Sequence, residues 1–554
     1  MLEQPEEYKN ASIVLKSEFE KLKALRASWE GSWKEIGDMM APNRSDFKGK
    51  RSRGQNRSAR IFNSKPLQAL TRFTAGFQNL LVPAQTPWFY LKTKDEKLMK
   101  NREVREWMDD ATVVLRDAFI NPKMNFQPSF HEYAQDLGAF GTAVMLVLDK
   151  PALGAYYMTL PLNQCYLGKN SDDQIDTLFR EYQHTGKELV ESYGMDLLPD
   201  PIKESFNNNP YEDFDCLHVL KPARFLNLPE NIQGDYGSVY ILPKYNWLLG
   251  IKSFKEKPFV ASRWERVATE IYGRGPGDQA LDDVRMLNEM EKSYLRAVQK
   301  IVDPPLMIPD DGFITPVRTT PGGLNYYRAG LGSDFRIQPM PTPQRIEYGD
   351  KKIAQVVQSI ESAFYLDMLQ LPGPTAVDGD VIRQTATEVQ ARQRDRLPIL
   401  GPIIARQEVE LLGPLIERTA AVLMRAGFIN PPPPILVEAQ YGVEYQNPVA
   451  ISMRAIELQA VQQLMNFIAP FAQIDPNILR RFDLGGLVEA GAEILRTPVK
   501  ILKSEEQFQE EMQREQQMQQ QAAMLQQQQQ QAQVAATGTE AMENVANASQ
   551  AGYS

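Results

Sequence analysis

The chain has 554 residues, and its 61 basic and 70 acidic side chains give a formal net charge of −9. The 43% of hydrophobic residues is typical of a soluble protein with a large core, and the length corresponds to about three or four domains. Three histidines and two cysteines exclude a disulfide framework and a Cys/His zinc site, and the acidic balance disfavours a protein that coats nucleic acid with its whole surface.

The N-terminal segment is predicted to be helical and to lead into a basic loop. Residues 1–42 place apolar side chains at helical spacing. Charged residues are spread through the first 30 residues, which therefore do not resemble the apolar core of a signal peptide. Asn43 to Arg60 contains seven basic residues against one acidic residue. This loop is interpreted as an arm that contacts phosphates or, preferably, as a solvated loop or subunit contact.

Two further helices are expected next. Asn63 or Ser64 caps the first helix, and Pro66 lies in its first turn, where a missing N–H costs nothing. That helix ends before Pro83. The second helix is predicted over about residues 96–118.

Residues 125–265 change to short β-prone runs separated by Gly, Pro, Asn and Asp, which predicts a mixed domain with an antiparallel sheet. The longest apolar run, 139–148, is about half the length of a membrane-spanning helix and is interpreted as a buried strand. Residues 186–194 are predicted to form a helix between two of these strands. Cys165 and Cys216 also lie here and are expected to be reduced.

Two long amphipathic helices follow, over about 273–302 and 344–369. Asp278 is the expected N-cap of the first of them. Residues 305–343 between the two helices are predicted to form short strands and turns.

A loop rich in proline and glycine, 371–380, separates this pair from a third long helix. The third helix begins with a capping box at Thr385 and runs to about Arg425, with Gly427 just beyond its end. Three prolines inside it are expected to kink or interrupt it, namely Pro398, Pro402 and Pro414.

The C-terminal part combines a proline run, helices and a glutamine-rich tail. Residues 431–434 are prolines, which predict extended backbone, and a short strand is expected over 435–441. Residues 448–503 return to helices. Fifteen of the 29 residues from Glu505 to Gln533 are glutamine, and the last 20 residues are expected to be disordered.

No motif marks a catalytic residue, a cofactor site or a metal site. The patterns G-x-x-x-x-G-K-[ST], H-E-x-x-H and G-x-S-x-G are absent, and the histidines are isolated. The glycines at 273, 275 and 277 precede a helix, where a flexible joint is favoured over a phosphate cradle. Four adjacent acidic pairs are better explained as helix-end and turn residues than as a two-metal site: Asp109–Asp110, Asp172–Asp173, Asp282–Asp283 and Asp310–Asp311.

The third long helix carries a group of arginines, namely Arg383, Arg392, Arg394, Arg396 and Arg406. Arg392 and Arg396 share a helix face, whereas Arg394 lies on the opposite face. The group therefore does not form a one-sided stripe. Three roles stay open: salt bridges between subunits, which are favoured, contacts with the DNA backbone, and plain solvation.

Five segments in chain order carry a family resemblance. They are LQALTRFTAGFQNLLVPAQTPWFYL (67–91), YGRGPGDQALDDVRMLNEMEK (272–292), DPPLMIPDDG (303–312), PGGLNYY (321–327) and TATEVQARQRDRLPILGPI (385–403). Together they resemble the portal proteins of short-tailed, T7-like bacteriophages, which are head-to-tail connecting proteins. The resemblance covers about residues 1–503 and does not extend to the glutamine-rich tail.

The resemblance implies an α+β, mainly α portal fold whose copies assemble as a ring, usually a dodecamer, around a central channel. It divides the chain into a wing (1–270), stem helix one (271–302), a clip (303–343), stem helix two (344–370), a tunnel loop (371–382), a kinked long helix that returns to the wing (383–447), a helical crown (448–503) and the glutamine-rich tail (504–554).

The resemblance also implies a location and a set of partners. The ring would sit at the portal vertex of the virion, between head and tail, after assembly in the cytoplasm of the host bacterium. Double-stranded DNA would pass through it during packaging and ejection. The implied protein partners are terminase, a tail adaptor, and the major capsid and scaffolding proteins, with no membrane, cofactor, metal or enzymatic activity.

Three groups of residues follow as candidate sites. The tunnel loop contains Leu371, Pro372, Gly373, Pro374, Thr375, Ala376, Val377, Asp378, Gly379 and Asp380. The candidates for contact with DNA or a neighbouring subunit are Arg383, Arg392, Arg394 and Arg396. The expected docking surface of the clip includes Asp310, Asp311, Tyr326, Tyr327 and Arg328.

Two other classes of protein stay as alternatives. One is another phage assembly protein, such as a scaffold or a tail adaptor, which the multidomain layout with paired long helices disfavours. The other is a DNA-processing enzyme, such as a packaging ATPase or nuclease, which the missing P-loop disfavours.

Overall fold

The chain divides into two compact units, each described by itself. The first unit comprises Met1–Leu91, Ala111–Pro431 and Val443–Ala455, and the second comprises Lys92–Asp110, Pro432–Gly442 and Ile456–Ser554. The computed structural model describes residues 4–47, 61–93, 101–150, 152–228, 232–307, 347–369, 397–437 and 441–445, with short pieces at 95, 98, 338–339, 375–377 and 380–382 and parts of 463–470 and 513–529.

Over the described residues the fold is α+β, and helices predominate. The α-helices are α1 (Glu6–Met40), α2 (Lys65–Leu81), α3 (Arg102–Ile120), α4 (Phe126–Phe140), α5 (Gly186–Tyr193), α6 (Asp200–Asn208), α7 (Pro276–Val302), α8 (Glu347–Ala363), α9 (Leu366–Leu369), α10 (Gly401–Gln407), α11 (Gly413–Arg425) and α12 (Pro434–Val437).

The strands are short, and most of them lie in the middle of the chain. They are β1 (Phe89–Thr93), β2 (Thr142–Lys150), β3 (Gly154–Leu160), β4 (Cys165–Lys169), β5 (Ile175–Thr185), β6 (Asp213–Pro222), β7 (Tyr236–Leu242), β8 (Trp247–Phe254), β9 (Phe259–Arg263), β10 (Leu306–Met307), β11 (Gln338–Pro339), β12 (Thr375–Val377), β13 (Asp380–Ile382) and β14 (Tyr441–Tyr445).

Two antiparallel sheets confirm the mixed domain predicted for residues 125–265. Strands β4 to β8 form one sheet in chain order, and β2 lies between β3 and β9 in the other. The predicted strand over 139–148 begins only at Thr142, because Ala139 and Phe140 end α4 and Gly141 leaves that helix with a φ of 70°. Helices α4 and α6 and strand β8 were not predicted.

Helix α1 confirms the first prediction and packs on the five-stranded sheet. Leu15 and Phe19 are buried against it, with the Phe19 ring 4.8 Å from that of Tyr166 in an edge-to-face contact. Further along α1, the buried guanidinium of Arg26 donates to the carbonyl of Cys165 at 2.7 Å. An apolar stripe therefore attaches the helix, and one buried arginine satisfies carbonyls at the sheet edge.

Both cysteines are free and buried, in line with the expected reduced state. Burial raises the pKa of the Cys165 and Cys216 thiols to about 12. Since the thiolate is the reactive form, neither thiol is a candidate nucleophile.

The predicted start of α2 is confirmed, because the Asn63 side chain accepts from the Lys65 amide at 2.8 Å and a proline occupies the first turn.

Two other predicted boundaries were wrong. Helix α3 begins at Arg102, where the Asn101 side chain accepts the amide of Glu103 at 2.9 Å. The strand expected over 435–441 begins only at Tyr441, and the residues before it form the helical turn α12.

The predicted continuous helix over 344–369 is also wrong. It ends at Ala363, and after a break at Phe364 and Tyr365 the chain resumes as the single turn α9. Several predicted segments lie outside the described residues, including 48–60, 308–337, 340–346, 383–396, 446–462, 471–512 and 530–554. Of the glutamine-rich tail, residues 513–522 are helical.

Within the part of the chain that the structure describes, none of the helices has the length and hydrophobicity that crossing a membrane requires.

Candidate functional site at the base of the paired helices

Helices α7 and α8 lie side by side and antiparallel. Near the start of α7, the Ser359 hydroxyl donates to the Asp283 carboxylate at 2.6 Å. Towards the other end, a hydrogen bond between the Tyr294 hydroxyl and the Asp350 carboxylate raises the pKa of the tyrosine. Residues late in α8 thus face residues early in α7. The two helices form a hairpin in which the C-terminal end of α7 lies beside the N-terminal end of α8.

Burial along α7 is uneven. Ala280, Leu281, Val284 and Leu287 are buried, but none of the described side chains from residue 288 onward in this helix is. The far half nevertheless carries a stripe of exposed apolar side chains, namely Leu295 at 44%, Ile301 at 41% and Val302 at 79% exposure. Since apolar surface on a stable helix is normally covered, these side chains lack a covering neighbour within the described chain.

The Gly/Pro-rich joint before α7 does not use the predicted cap. Gly275 is the N-cap, and Asp278 lies at the third helical position, where its carboxylate accepts the Gly275 amide at 2.9 Å. The side chain thus bonds back to the helix start, as the third residue of a capping box does. Burial raises the pKa of Asp278.

Protein groups satisfy the amides of the same joint that precede the helix. The Gly273 amide donates to the Thr142 hydroxyl at 2.8 Å, and Arg274 exchanges backbone hydrogen bonds of 3.1 and 3.0 Å with Glu265. With the Gly275 amide bonded to Asp278, all three amides before the helix have protein partners. These three amides are therefore not available to an anion, and anion sites at helix starts need free donors.

A close approach between backbones fixes the joint in place. Gly141, at the turn from α4 into β2, has a φ of 70°, and a Cβ built on it would lie 2.4 Å from the Arg274 carbonyl carbon and the Gly275 nitrogen. A Cβ on Gly277 would lie 2.2 Å from the Ala139 oxygen. Glycine is required here because backbone occupies the space of a side chain.

The third long helix is interrupted, as its prolines predicted. A 3₁₀ turn (Leu397–Leu400) leads into α10, a π-helical turn (Glu408–Leu412) follows, and α11 completes the helix. Pro402 and Pro414 each lie in the first turn of a new α segment, where proline is tolerated. Gly427, with a φ of 79°, follows the end of the helix as expected.

A buried arginine attaches the π-helical turn to strand β9. Arg263 is 1% exposed and forms an ion pair with Glu410, with its terminal nitrogen 2.9 Å from a carboxylate oxygen. The Arg263 amide also donates to Glu410 at 2.9 Å, and its guanidinium donates to the Asp173 carbonyl at 2.7 Å. One carboxylate of the π turn thus holds both the backbone and the side chain of the strand end.

Gln407 extends this attachment through a buried polar chain. Its amide donates to the Arg263 carbonyl at 2.9 Å, and its oxygen accepts from Ser262 at 2.6 Å. Ser262 accepts from the Tyr133 hydroxyl of α4 at 2.7 Å. The helix, the three-stranded sheet and α4 are therefore joined by satisfied buried groups, which specify one arrangement.

A second ion-pair cluster attaches α11 to the same sheet. Arg418, which is buried, pairs with Asp149 at the end of β2 and with Glu256 before β9, the latter at 2.5 Å. Arg425 pairs with the same two carboxylates at 3.0 and 2.6 Å. Four alternating charges thus fix the second half of the interrupted helix.

Arg406 is the one member of the predicted arginine group that is described, and its guanidinium donates to the Trp264 carbonyl at 2.8 Å. It therefore supports the helix–strand contact. Of the predicted tunnel loop, Thr375–Val377 pairs with Asp380–Ile382 as a short hairpin. The other loop positions, the remaining arginines and the clip residues lie outside the described residues.

Arg44 is the one described basic residue of the loop predicted as a phosphate arm or subunit contact. Its guanidinium lies 2.8 Å from the carboxylate of fully buried Asp136, without hydrogen-bond geometry. Burial raises the pKa of Asp136 to about 6, against the opposing effect of Arg44. Arg44 thus serves the core of the first unit.

The remaining titratable groups that the structure describes show no catalytic arrangement. His218 is buried beside Ser238, at 2.8 Å, and burial lowers its pKa to about 3. Among the described residues, no group of three His, Cys, Asp or Glu side chains could hold a metal ion. Asp173 pairs with Lys169 and two arginines, as expected for a turn acid.

Known proteins similar to this chain are phage connectors. The family model for the bacteriophage head to tail connecting protein matches residues 14–502. The probable portal protein of Bordetella phage BPP-1 is 28% identical over 488 residues, which cover 87% of each chain. The portal protein of Salmonella phage epsilon15 is 26% identical over 497 residues, which cover 88% of each chain.

Among solved structures, the neck of an empty gene transfer agent particle matches with 14% identity and a TM-score of 0.36, over 76% of this chain and 91% of that chain. The family assignment stands on the sequence match alone. That match begins within α1 and includes the Gly/Pro-rich joint, the paired helices and the interrupted helix. It confirms the resemblance that five short sequence segments indicated. The chain belongs to the family of bacteriophage head-to-tail connecting proteins.

Proposed function

We propose that this connector works as a portal subunit, one of a ring of identical chains around a channel at a single capsid vertex. Double-stranded DNA enters the head through this channel during packaging and leaves through it during ejection. The family match and the names of the two phage relatives support the proposal.

The observation that carries the proposal is the uncovered far half of α7. Among the described residues, apolar side chains such as Leu295 and Val302 stay exposed on this half of the helix, although α8 packs beside it. Heterologous contacts in a closed ring provide every subunit with a neighbour on each side. The paired helices would then form the stem, and neighbouring copies would cover the exposed stripe.

The arrangement also suits a channel that does not hold its DNA. Each phosphate neutralised by a lysine or arginine adds affinity, and tight binding by every subunit would stall translocation. The chain has a net charge of −9, and the described Arg44, Arg263, Arg406 and Arg418 are engaged with groups of the protein itself. The negative net charge thus favours passage over retention.

The remaining assignments follow from the family. Residues 1–270 would form the wing and 303–343 the clip, which would dock terminase during packaging and a tail adaptor later. Residues 371–382 would form the tunnel loop and 448–503 the crown inside the capsid. The major capsid and scaffolding proteins would surround the ring, which would assemble in the cytoplasm of the host bacterium.

Deletion of residues 371–380 should leave ring assembly intact but impair DNA packaging or retention. The segments on both sides of the loop are held by contacts that do not involve the loop. Helix α9 precedes it, and the helix that follows it is bonded to Arg263 of β9 through Gln407 and Glu410. The measurement is electron microscopy of the variant protein together with packaging of DNA into proheads. The matched control replaces the same residues with glycine and serine at equal length. Failure of the deletion variant to form rings would show that the loop is misplaced.

A further inference from the structure

The break between α8 and α9 occurs where the local sequence favours an uninterrupted helix. From Asp350 to Leu371 the chain contains neither glycine nor proline, and ESAFYLDML (361–369) consists mostly of residues compatible with a helix. Sequence periodicity accordingly predicts one helix through this region. The observed break is therefore a conflict between local preference and tertiary packing.

The backbone at the break is strained. Tyr365 has a φ of 54°, in the left-handed region that residues with a Cβ avoid. Its amide donates to Ser362 at 2.9 Å instead of reaching back four residues, and its carbonyl accepts from Met368 and Leu369 at 3.0 Å. One residue thus ends α8 and starts α9.

Tertiary contacts compensate for this strain. Phe364 is fully buried, with its ring 6.0 Å from that of Phe73 in α2, and the Tyr365 ring lies 5.8 Å from that of Trp264. Leu369 of α9 packs against Gly76 of α2, where an added Cβ would lie 2.9 Å from the leucine Cβ. These contacts require the break, because they draw α9 towards α2.

We infer that Phe364 and Tyr365 form a two-state hinge, which alternates between the observed break and a continuous helix over residues 347–369. Backbone strain and helix propensity favour the continuous form, while the aromatic contacts and the docking of Leu369 on Gly76 favour the break. Straightening would redirect the chain that leads to residues 371–382. The hinge is a property of the single chain and holds whether or not the proposed ring forms.

Two substitutions of Tyr365 separate the effect of backbone strain from the loss of its ring. Tyr365→Asn and Tyr365→Val both remove the ring and hydroxyl, but asparagine tolerates the left-handed conformation and valine does not. A left-handed penalty of this kind corresponds to a roughly 5- to 30-fold change in the ratio of the two forms. Gly76→Ala, on a different element, should also favour the continuous helix, because it hinders the docking of Leu369.

The experiment measures the distance between spin labels at positions 351 and 367, which are exposed. Because the native cysteines are buried, labels attach to introduced cysteines, and dilution with unlabelled chain removes distances between copies. A continuous helix places the two backbones about 24 Å apart. We expect this population to grow in Gly76→Ala and to grow more in Tyr365→Val than in Tyr365→Asn, because both lose the ring but only valine adds the left-handed penalty. Identical distributions in the valine and asparagine variants, or an unchanged one in Gly76→Ala, would overturn the hinge.

Discussion

Replacing Arg263 with methionine should lower the free energy of unfolding by about 3–5 kcal/mol, the usual cost of removing one partner from a buried ion pair. Glu410 would lose both hydrogen-bond donors of the guanidinium and keep only the backbone amide of residue 263. The carboxylate, whose side chain is only 16% exposed, would then be left with its charge largely uncompensated. Urea unfolding followed by tryptophan fluorescence measures the effect, since Trp264 is the next residue.

Arg266→Met is the matched control for this prediction. Arg266 also pairs with a carboxylate, that of Asp173 at 3.1 Å, but its side chain is 40% exposed. Its loss should cost less than about 1 kcal/mol, because exposed ion pairs contribute little. The double substitution of Arg263 and Glu410 by apolar residues should recover much of the loss. Equal effects of Arg263→Met and Arg266→Met would contradict the assigned role of the buried pair.

Gly141→Ala should be the second strongly destabilising substitution, at roughly 2–5 kcal/mol. About 1–2 kcal/mol comes from a left-handed conformation with a Cβ, and a further 1–3 kcal/mol, roughly, from overpacking. The new methyl group would overlap the backbone of Arg274 and Gly275, at 2.4 Å from each. Because that backbone begins α7, we also expect fewer complete rings by electron microscopy.

Gly427→Ala provides the control, since it isolates the conformational part of the cost. Gly427 has a φ of 79°, close to that of Gly141, and follows the end of α11, where the Phe428 amide donates to the Leu423 carbonyl at 2.9 Å as in a left-handed helix cap, but no heavy atom lies within 4 Å of an added Cβ. This variant should lose only about 1–2 kcal/mol of unfolding free energy. Equal free energies of unfolding for the two alanine variants would contradict the role assigned to the close approach at the joint.

The fold was predictable from the sequence wherever local patterns determine it. The apolar spacing in α1 and α7 and the β-prone runs between turn residues are local signals, and the corresponding elements are present. The predicted ends of helices and strands were wrong where contacts with residues distant in the sequence determine them. Asp278 looks like an N-cap from its own neighbourhood, but the packing of Gly141 against the joint moves the helix start to Pro276.

The candidate site was predictable only in part. The Gly/Pro-rich joint and the prolines of the interrupted helix are visible in the sequence, and each marked a real structural feature. The attachment between them was missed, because Arg263 and Glu410 are 147 positions apart and no spacing rule connects them. The available signal was weak: Gln407 shares a helix face with Ile403, Ile404 and Leu411, and all four residues are buried.

Ring closure around a channel can be tested on the purified 554-residue chain by electron microscopy. We expect closed rings with a central opening, whose walls contain the paired helices α7 and α8. Monomers or open filaments under every assembly condition tested would contradict ring closure.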